Sequence, residues 1–327
     1  GHGRFLTDPL GRPGEWKPLC FPAMTSSLTS MTPSAEKTDN HSAGALHTQV
    51  LLDVARALQE DLGGGDLTAG LIDPTRTVRA RVLARESAVL CGAPWAEAAL
   101  RALDPGVHLT WRVQEGQRCA ADQVVLEIEG NARALLSAER TALNFLQLLS
   151  AVATKTATYV EAVAGTRARI VDTRKTLPGL RMAQKYAVRT GGGTNHRIGL
   201  FDAVLIKENH IAAAGGVSAV LHATQAVAPQ AMFIEIEVET LAQLSEALDA
   251  GAKMVLLDNM PLAKLHKAVQ LNAAHEGGGA ILEISGGVTL DSLRALAETG
   301  VDRISIGGLT KDVKATDFSM RLEDFAA

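Results

Sequence analysis

The sequence predicts an α/β protein: a parallel barrel, closed or nearly closed, preceded by a small α+β domain. The first support is a regular alternation in the second half. Short apolar runs at 169–171, 203–206, 232–238, 254–257, 281–284 and 303–306 read as strands, and segments around 217–227, 241–250, 262–273 and 290–298 have helical spacing. Strand-then-helix units in series give a parallel sheet buried on both faces, and six of them, short of eight, leave the ring incomplete. The second support lies earlier, where strands at 78–86, 108–114 and 124–129 accompany a helix at 93–103. In the first of these Val78, Ala80, Val82 and Ala84 face one way and Arg79, Arg81 and Arg85 largely the other, the pattern of a sheet with one wet face.

Composition sets the limits. A chain of 327 residues, 46% hydrophobic and 21% charged, suits a globular protein of two domains or of one barrel with a smaller partner. Its net charge of -4 argues against nucleic-acid and membrane-surface partners, which want a broad basic face. No apolar run reaches the roughly 18 residues of a membrane span. Cys20, Cys91 and Cys119 are widely spaced and form no C-x-x-C pair, so the expected compartment is a reducing cytoplasm.

Taken in order, residues 1–44 hold five of the eleven prolines and a Ser/Thr-rich run, and read as a tag remnant or disordered extension. A helix is expected from about Leu46, ending in a turn at Gly63, Gly64 and Gly65 with Asp66 or Thr68 able to cap the next segment. Asn131 is placed to cap a long helix at 132–149, on which Glu139 and Arg140 read by themselves as a surface ion pair. A second helix is expected at 153–164. The domains then divide as 45–150, with 311–327 returning to it, and 151–310.

Residues 171–211 carry nine basic or potentially basic side chains against Asp172, Asp202 and Glu208, in a chain that is mildly acidic overall. Something anionic is expected here. Arg174 and Lys175 leave one strand end and Lys207 the next, while His196 and Arg197 lie on the connection. Arg181, Lys185 and Arg189 follow one another at spacings of four and are expected to form a solvated or subunit-facing stripe.

In a barrel, chemistry gathers where strands end. Ser285-Gly286-Gly287 and Gly307-Gly308 end the last two strands, where glycine turns let backbone N–H groups meet a phosphate. Glu237 and Asp258 end neighbouring central strands and offer hard oxygens to Mg²⁺, through water or substrate, or to a ribose diol. A structural pairing of Glu237 with Lys207 is the plainer reading, and Glu235 points the same way by period-two alternation with no settled role. A cationic part, a phosphate part and a diol or metal part together match 5-phosphoribosyl-1-pyrophosphate (PRPP), with basic residues left for a second anion.

The motifs D-T-R-K-T-L-P-G-L-R at 172–181, G-G-G-T-N-H-R at 191–197, I-K-E-N-H at 206–210, E-I-E-V-E at 235–239, L-L-D-N-M at 256–260 and S-G-G-V at 285–288 closely resemble the quinolinate phosphoribosyltransferases. The likeness covers about residues 46–322. It implies a type II phosphoribosyltransferase with an N-terminal α/β sandwich domain and an incomplete parallel α/β barrel. The implied reaction joins quinolinate to PRPP with loss of CO₂, and the implied cofactor is Mg²⁺. It also implies a homodimer with shared active sites, assembly beyond the dimer being open, in which Arg140 reaches the neighbour's quinolinate; this replaces the surface-pair reading.

By the same resemblance Arg174, His196 and Arg197 surround the quinolinate carboxylates, and Lys175 and Lys207 stand between dicarboxylate and PRPP. Glu237 and Asp258 take the ribose and Mg²⁺ side, and Ser285, Gly286, Gly307 and Gly308 the 5-phosphate. Lys175, Lys207, Glu237 and Asp258 are the expected catalytic set. The alternatives are a related type II transferase acting on another aromatic acid, a sugar-phosphate lyase with a Schiff base at Lys207, and a scaffold that kept the fold.

Overall fold

A computed structural model describes residues 35–323, with side chains from 44 onward. The chain from Gly44 forms one compact unit. Helix α1 (Ala35–Leu62) starts ahead of the expected Leu46, and the rest of the expected extension, residues 1–34, lies outside the described residues. At the turn after α1, Asp66 Oδ1 accepts from the N–H groups of Thr68 and Ala69 at 2.8 and 3.1 Å, so Asp66 is the capping residue.

The N-terminal layer is antiparallel. Strands β1 (Thr77–Ala84), β2 (Ala88–Val89), β3 (His108–Trp111), β4 (Arg118–Cys119) and β5 (Val124–Asn131) come in order, with α2 (Ala93–Leu103) between β2 and β3. The C-terminal strand β12 (Phe318–Glu323) pairs antiparallel with β1, giving a four-stranded sheet in the order β12-β1-β5-β3. Val78, Ala80, Val82 and Ala84 are all buried beneath it, and Val50, Val54 and Leu58 of α1 with Trp95 of α2 fill the same core. Period-two burial thus fixes the face that this sheet presents to its helices.

Helix α3 (Ala132–Ala162) corrects the expectation of two helices: it runs unbroken for 31 residues. Asn131 caps it, its side chain accepting from Arg133 and Ala134 N–H. Ser150 and Thr154 lie inside it, and no Gly or Pro interrupts the run. Their hydroxyls accept from the backbone N–H groups of Cys91 at 2.9 Å and Val89 at 2.8 Å. Leu135, Leu146, Leu149 and Val152 pack in the N-terminal core, while Tyr159 and Val160 pack on the next one.

The remaining elements are β6 (Arg169–Val171), α4 (Arg181–Thr190), β7 (Val204–Ile206), α5 (Glu208–Ala214), α6 (Val217–Ala223), β8 (Ile234–Val238) and α7 (Leu241–Asp249). They continue with β9 (Met254–Asp258), α8 (Leu262–Ala274), β10 (Ile281–Ser285), α9 (Leu290–Ala297), β11 (Arg303–Ser305) and α10 (Gly308–Lys311). All six strands are parallel, in the order β6-β11-β10-β9-β8-β7. Consecutive strands β6 and β7 are therefore the two edges, and the incomplete barrel is open between them. Residues 191–203 run through that opening, where Thr194 bridges Val171. This is why His196 and Arg197, which belong to a connection, enter the barrel mouth.

Candidate active site

A cavity of about 700 Å³ lies at the carboxyl ends of the parallel strands. Arg174 and Lys175 after β6, His196 and Arg197 in the opening, Lys207 after β7, Glu237 on β8, Asp258 closing β9, and Ser285 with Gly286 after β10 all line it. Gly307 borders the lysine: a Cβ there would stand 2.8 Å from Lys175 Cδ. Gly308 lies outside the lining and its carbonyl accepts from Lys155 Nζ at 2.7 Å. Arg140 is exposed on α3 and does not line this cavity.

The basic stretch divides further than its spacing suggests. Lys185 is buried, ion-paired with buried Asp172, and donates to the His196 carbonyl at 3.0 Å. Burial pushes the Lys185 ammonium down and the Asp172 carboxyl up, each opposed by its partner's charge. Arg181 donates to the carbonyls of Ile198 at 3.1 Å and Arg174 at 3.3 Å. The expected solvated stripe is thus corrected for both, because the connection folds back over α4 and takes their donors; Arg189 alone is exposed. What remains toward the cavity is Arg174, Lys175, Arg197 and Lys207. Arg174 Nε is buried, with no hydrogen-bond partner among the described residues.

Glu237 and Lys207 do pair, Nζ to Oε2 at 3.4 Å. Partial burial pushes the Glu237 carboxyl up, Lys207 opposes this, and the neighbouring Asp258 charge adds to it. Asp258 Oδ2 accepts from Asn259 Nδ2 at 2.7 Å. Gly286 has φ +99°, and a Cβ there would fall 2.0 Å from Asn259 Oδ1. The glycine turn and the carboxylate side of the cavity are consequently in contact.

Below the rim lies a second layer, of which His196 and Glu235 stood out in the sequence and Glu283 and Arg303 did not. Glu235 on β8 and Glu283 on β10 are fully buried, and His196 Nε2 lies 2.7 Å from Glu235 Oε2 and 3.6 Å from Glu283 Oε1. Arg303 Nε on β11 donates to Glu283 Oε2 at 2.7 Å. The signal was available: Glu235–Glu237, Glu283–Ser285 and Arg303–Ser305 are pairs two residues apart on strands, so both members of each point into the barrel. Burial drives both glutamates up to about 7. Burial also lowers the basicity of His196, against the pull of Glu283. His196, Glu235 and Glu283 offer ligand atoms within 4.8 Å of one another, yet Arg303 already supplies a cation to this layer.

The quinolinate phosphoribosyl transferase family models match residues 66–150 (N-terminal domain) and 152–321 (C-terminal domain). The chain is 43% identical over 276 residues to the nicotinate-nucleotide pyrophosphorylase [carboxylating] of Mycobacterium leprae, covering 82% of this chain and 95% of that protein. It is 41% identical over 261 residues to the probable enzyme of that name from Bacillus subtilis, covering 80% and 89%. Among solved structures, the nicotinate-nucleotide pyrophosphorylase from Francisella tularensis superposes with a TM-score of 0.81 at 41% identity, covering 85% of this chain and 97% of that one.

Proposed function

Since the chain belongs to the quinolinate phosphoribosyltransferase family and is a decarboxylating phosphoribosyltransferase of NAD biosynthesis, we propose how its own residues divide the reaction. The observation that carries the assignment is the convergence of Arg174, Lys175, Arg197 and Lys207 on one cavity. Four cations around one cavity suit an anionic ligand, and a guanidinium binds a carboxylate with charge-assisted bonds.

In this reading Arg174 and Arg197 grip the carboxylate that the product retains. Lys175 and Lys207 stand between the dicarboxylate and the pyrophosphate of PRPP. The glycine turn at Ser285 and Gly286 takes the 5-phosphate, and Gly307 gives Lys175 room to reach across. Glu237 and Asp258 face the ribose, where their charges suit an oxocarbenium-like centre at C1.

The same two carboxylates would hold Mg²⁺. Their fit rests on hard oxygens side by side on neighbouring strands, where Asp258 raises the proton affinity of Glu237 and a cation would relieve the repulsion. When bound, Mg²⁺ neutralises charge on the departing pyrophosphate.

The chain need not supply a base, because the pyridine nitrogen carries a free lone pair. Its task is to align that nitrogen with C1, which is the kind of contribution that positioning makes. Bond formation at nitrogen expels pyrophosphate and leaves the ring nitrogen cationic. The adjacent C–CO₂ bond then breaks with its electron pair drawn toward that nitrogen, and a proton replaces CO₂ on carbon.

A homodimer with shared sites belongs to the same proposal, with Arg140 completing the neighbour's cavity; it is supported by Arg140 being exposed and away from its own cavity. Cytoplasmic placement is supported by Cys91 and Cys119, both free and buried. The test is turnover of quinolinate and PRPP with Mg²⁺, following CO₂ and nicotinate mononucleotide. Arg174→Lys and Arg197→Lys are expected to raise the quinolinate KM or lower kcat by about tenfold or more, since lysine lacks the bidentate fork. Normal kinetics in both variants reject these two assignments, and turnover of nicotinate instead of quinolinate favours the other-acid alternative.

A further inference from the structure

His196 does not meet the cavity as a free cation. Its Nδ1 accepts the backbone N–H of Arg197 at 2.8 Å, so that nitrogen carries no proton. The proton of the neutral ring therefore sits on Nε2, which faces Glu235 Oε2 at 2.7 Å. Protonating Nδ1 as well would break the bond to Arg197. The ring is further enclosed by Phe233, edge-on with centroids 5.2 Å apart.

The parts below the ring are held in turn. Glu283 Oε1 lies 3.6 Å from the same Nε2, and Arg303 anchors the other Glu283 oxygen at 2.7 Å. From the side, Lys185 and Asp172 fix the His196 backbone: Lys185 Nζ donates to its carbonyl at 3.0 Å, and its N–H donates to Asp172 Oδ1 at 2.8 Å. Every polar atom of His196 thus has a partner inside the protein. Arg197 is the next residue; it lines the cavity, and its guanidinium donates to the Ala203 carbonyl at 3.4 Å.

We infer that Glu235 and Glu283 are positioning residues: backed by Arg303, they lock His196 as a neutral Nε2–H ring whose Nδ1 fixes the Arg197 backbone, and so aim Arg197 at a substrate carboxylate. The inference rests on the dicarboxylate reading of this cavity. A ring held on both nitrogens is a rigid spacer between the barrel floor and the arginine. It gives the 191–203 connection, which lacks a strand of its own at this point, a fixed place in the barrel opening.

The test combines spectroscopy and kinetics on the full chain. In ¹⁵N-histidine-labelled protein, with His196 assigned by its loss in His196→Gln, the ring is expected as the neutral Nε2–H tautomer at pH 7. Glu235→Gln keeps an acceptor oxygen, so it should keep that tautomer and both KM values within about threefold of wild type. Glu235→Ala removes the acceptor; the ring should become a mixture of tautomers, and the quinolinate KM should rise about tenfold or more while the PRPP KM moves less than about threefold. A protonated ring or an Nδ1–H tautomer in the wild type overturns the inference, and so does an equal rise in both KM values in Glu235→Ala. The wild-type spectrum decides the matter even if Glu235→Ala does not fold. Failure of wild-type protein to bind quinolinate would reject the functional reading, and the tautomer would still be measured independently.

Discussion

Glu283 shows how a single buried side chain ties this site to stability. Burial pushes its carboxyl up to about 7 from an ordinary 4.5, with Glu235 adding to the shift and His196 and Arg303 opposing it. A carboxyl raised in the folded state binds more protons there than in the unfolded chain between those two values. Its contribution is therefore full below about 4.5 and is lost as pH rises through about 7. Glu235 acts with the same sign, whereas His196, lowered by burial, has the opposite one. The clean readout is accordingly a difference: the Tm of wild type relative to Glu283→Gln should fall as pH is raised from about 5 to about 8, since glutamine cannot titrate. A constant difference across that range would mean that the Glu283 carboxyl is not shifted. The period-two pairing of Glu283 with the rim residue Ser285 gives its direction into the barrel, but its partners are not legible, because only the neighbouring strands and the returning connection bring it Arg303 and His196.

At the scale of elements, the six parallel strands and their ends were legible because apolar runs and strand-end polarity are local properties of the chain, whereas β2, β4 and β12 were not named as strands. The sequence leaves residues 150–152 between two expected helices, whereas α3 runs through them and the hydroxyls of Ser150 and Thr154 hold the backbone at Cys91 and Val89. Lys185 was misread because spacing on α4 gives a helix face, but which face is covered depends on where residues 191–203 return. The β9 and β10 ends show a coupling that spacing also hides. Gly286 occupies a backbone conformation with φ +99°, and its missing side chain leaves room for Asn259, which donates to Asp258 at 2.7 Å. Gly286→Ala should displace Asn259 and disturb the phosphate turn and Asp258 together, at a cost of about 1–3 kcal/mol in local strain. The PRPP KM should rise by about tenfold, roughly the worth of one hydrogen bond to a charged group, with a smaller change for quinolinate. Equal effects on both substrates would separate this turn from the PRPP half of the cavity.

For the molecule as a whole, the question is whether one chain contains a complete site. Arg140 lies outside the cavity of its own chain, and Leu67, Leu71, Leu200 and Phe201 are exposed apolar side chains. A two-fold arrangement would cover such surface on both copies and allow each to lend Arg140 to the other. Consider Arg140→Ala and Lys175→Ala, each expected to lose most activity alone. When the two are co-expressed with different tags, about half of randomly formed dimers are mixed. In a mixed dimer the barrel that keeps Lys175 receives Arg140 from its partner, so one site is intact, and the other site carries both losses. The mixture should thus recover about one quarter of wild-type activity, all of it in the doubly tagged species. If Arg140 served its own chain, neither site of the mixed dimer would be whole and nothing would be recovered. If it served no site, Arg140→Ala would be active from the start, and the shared-site arrangement would have to be abandoned.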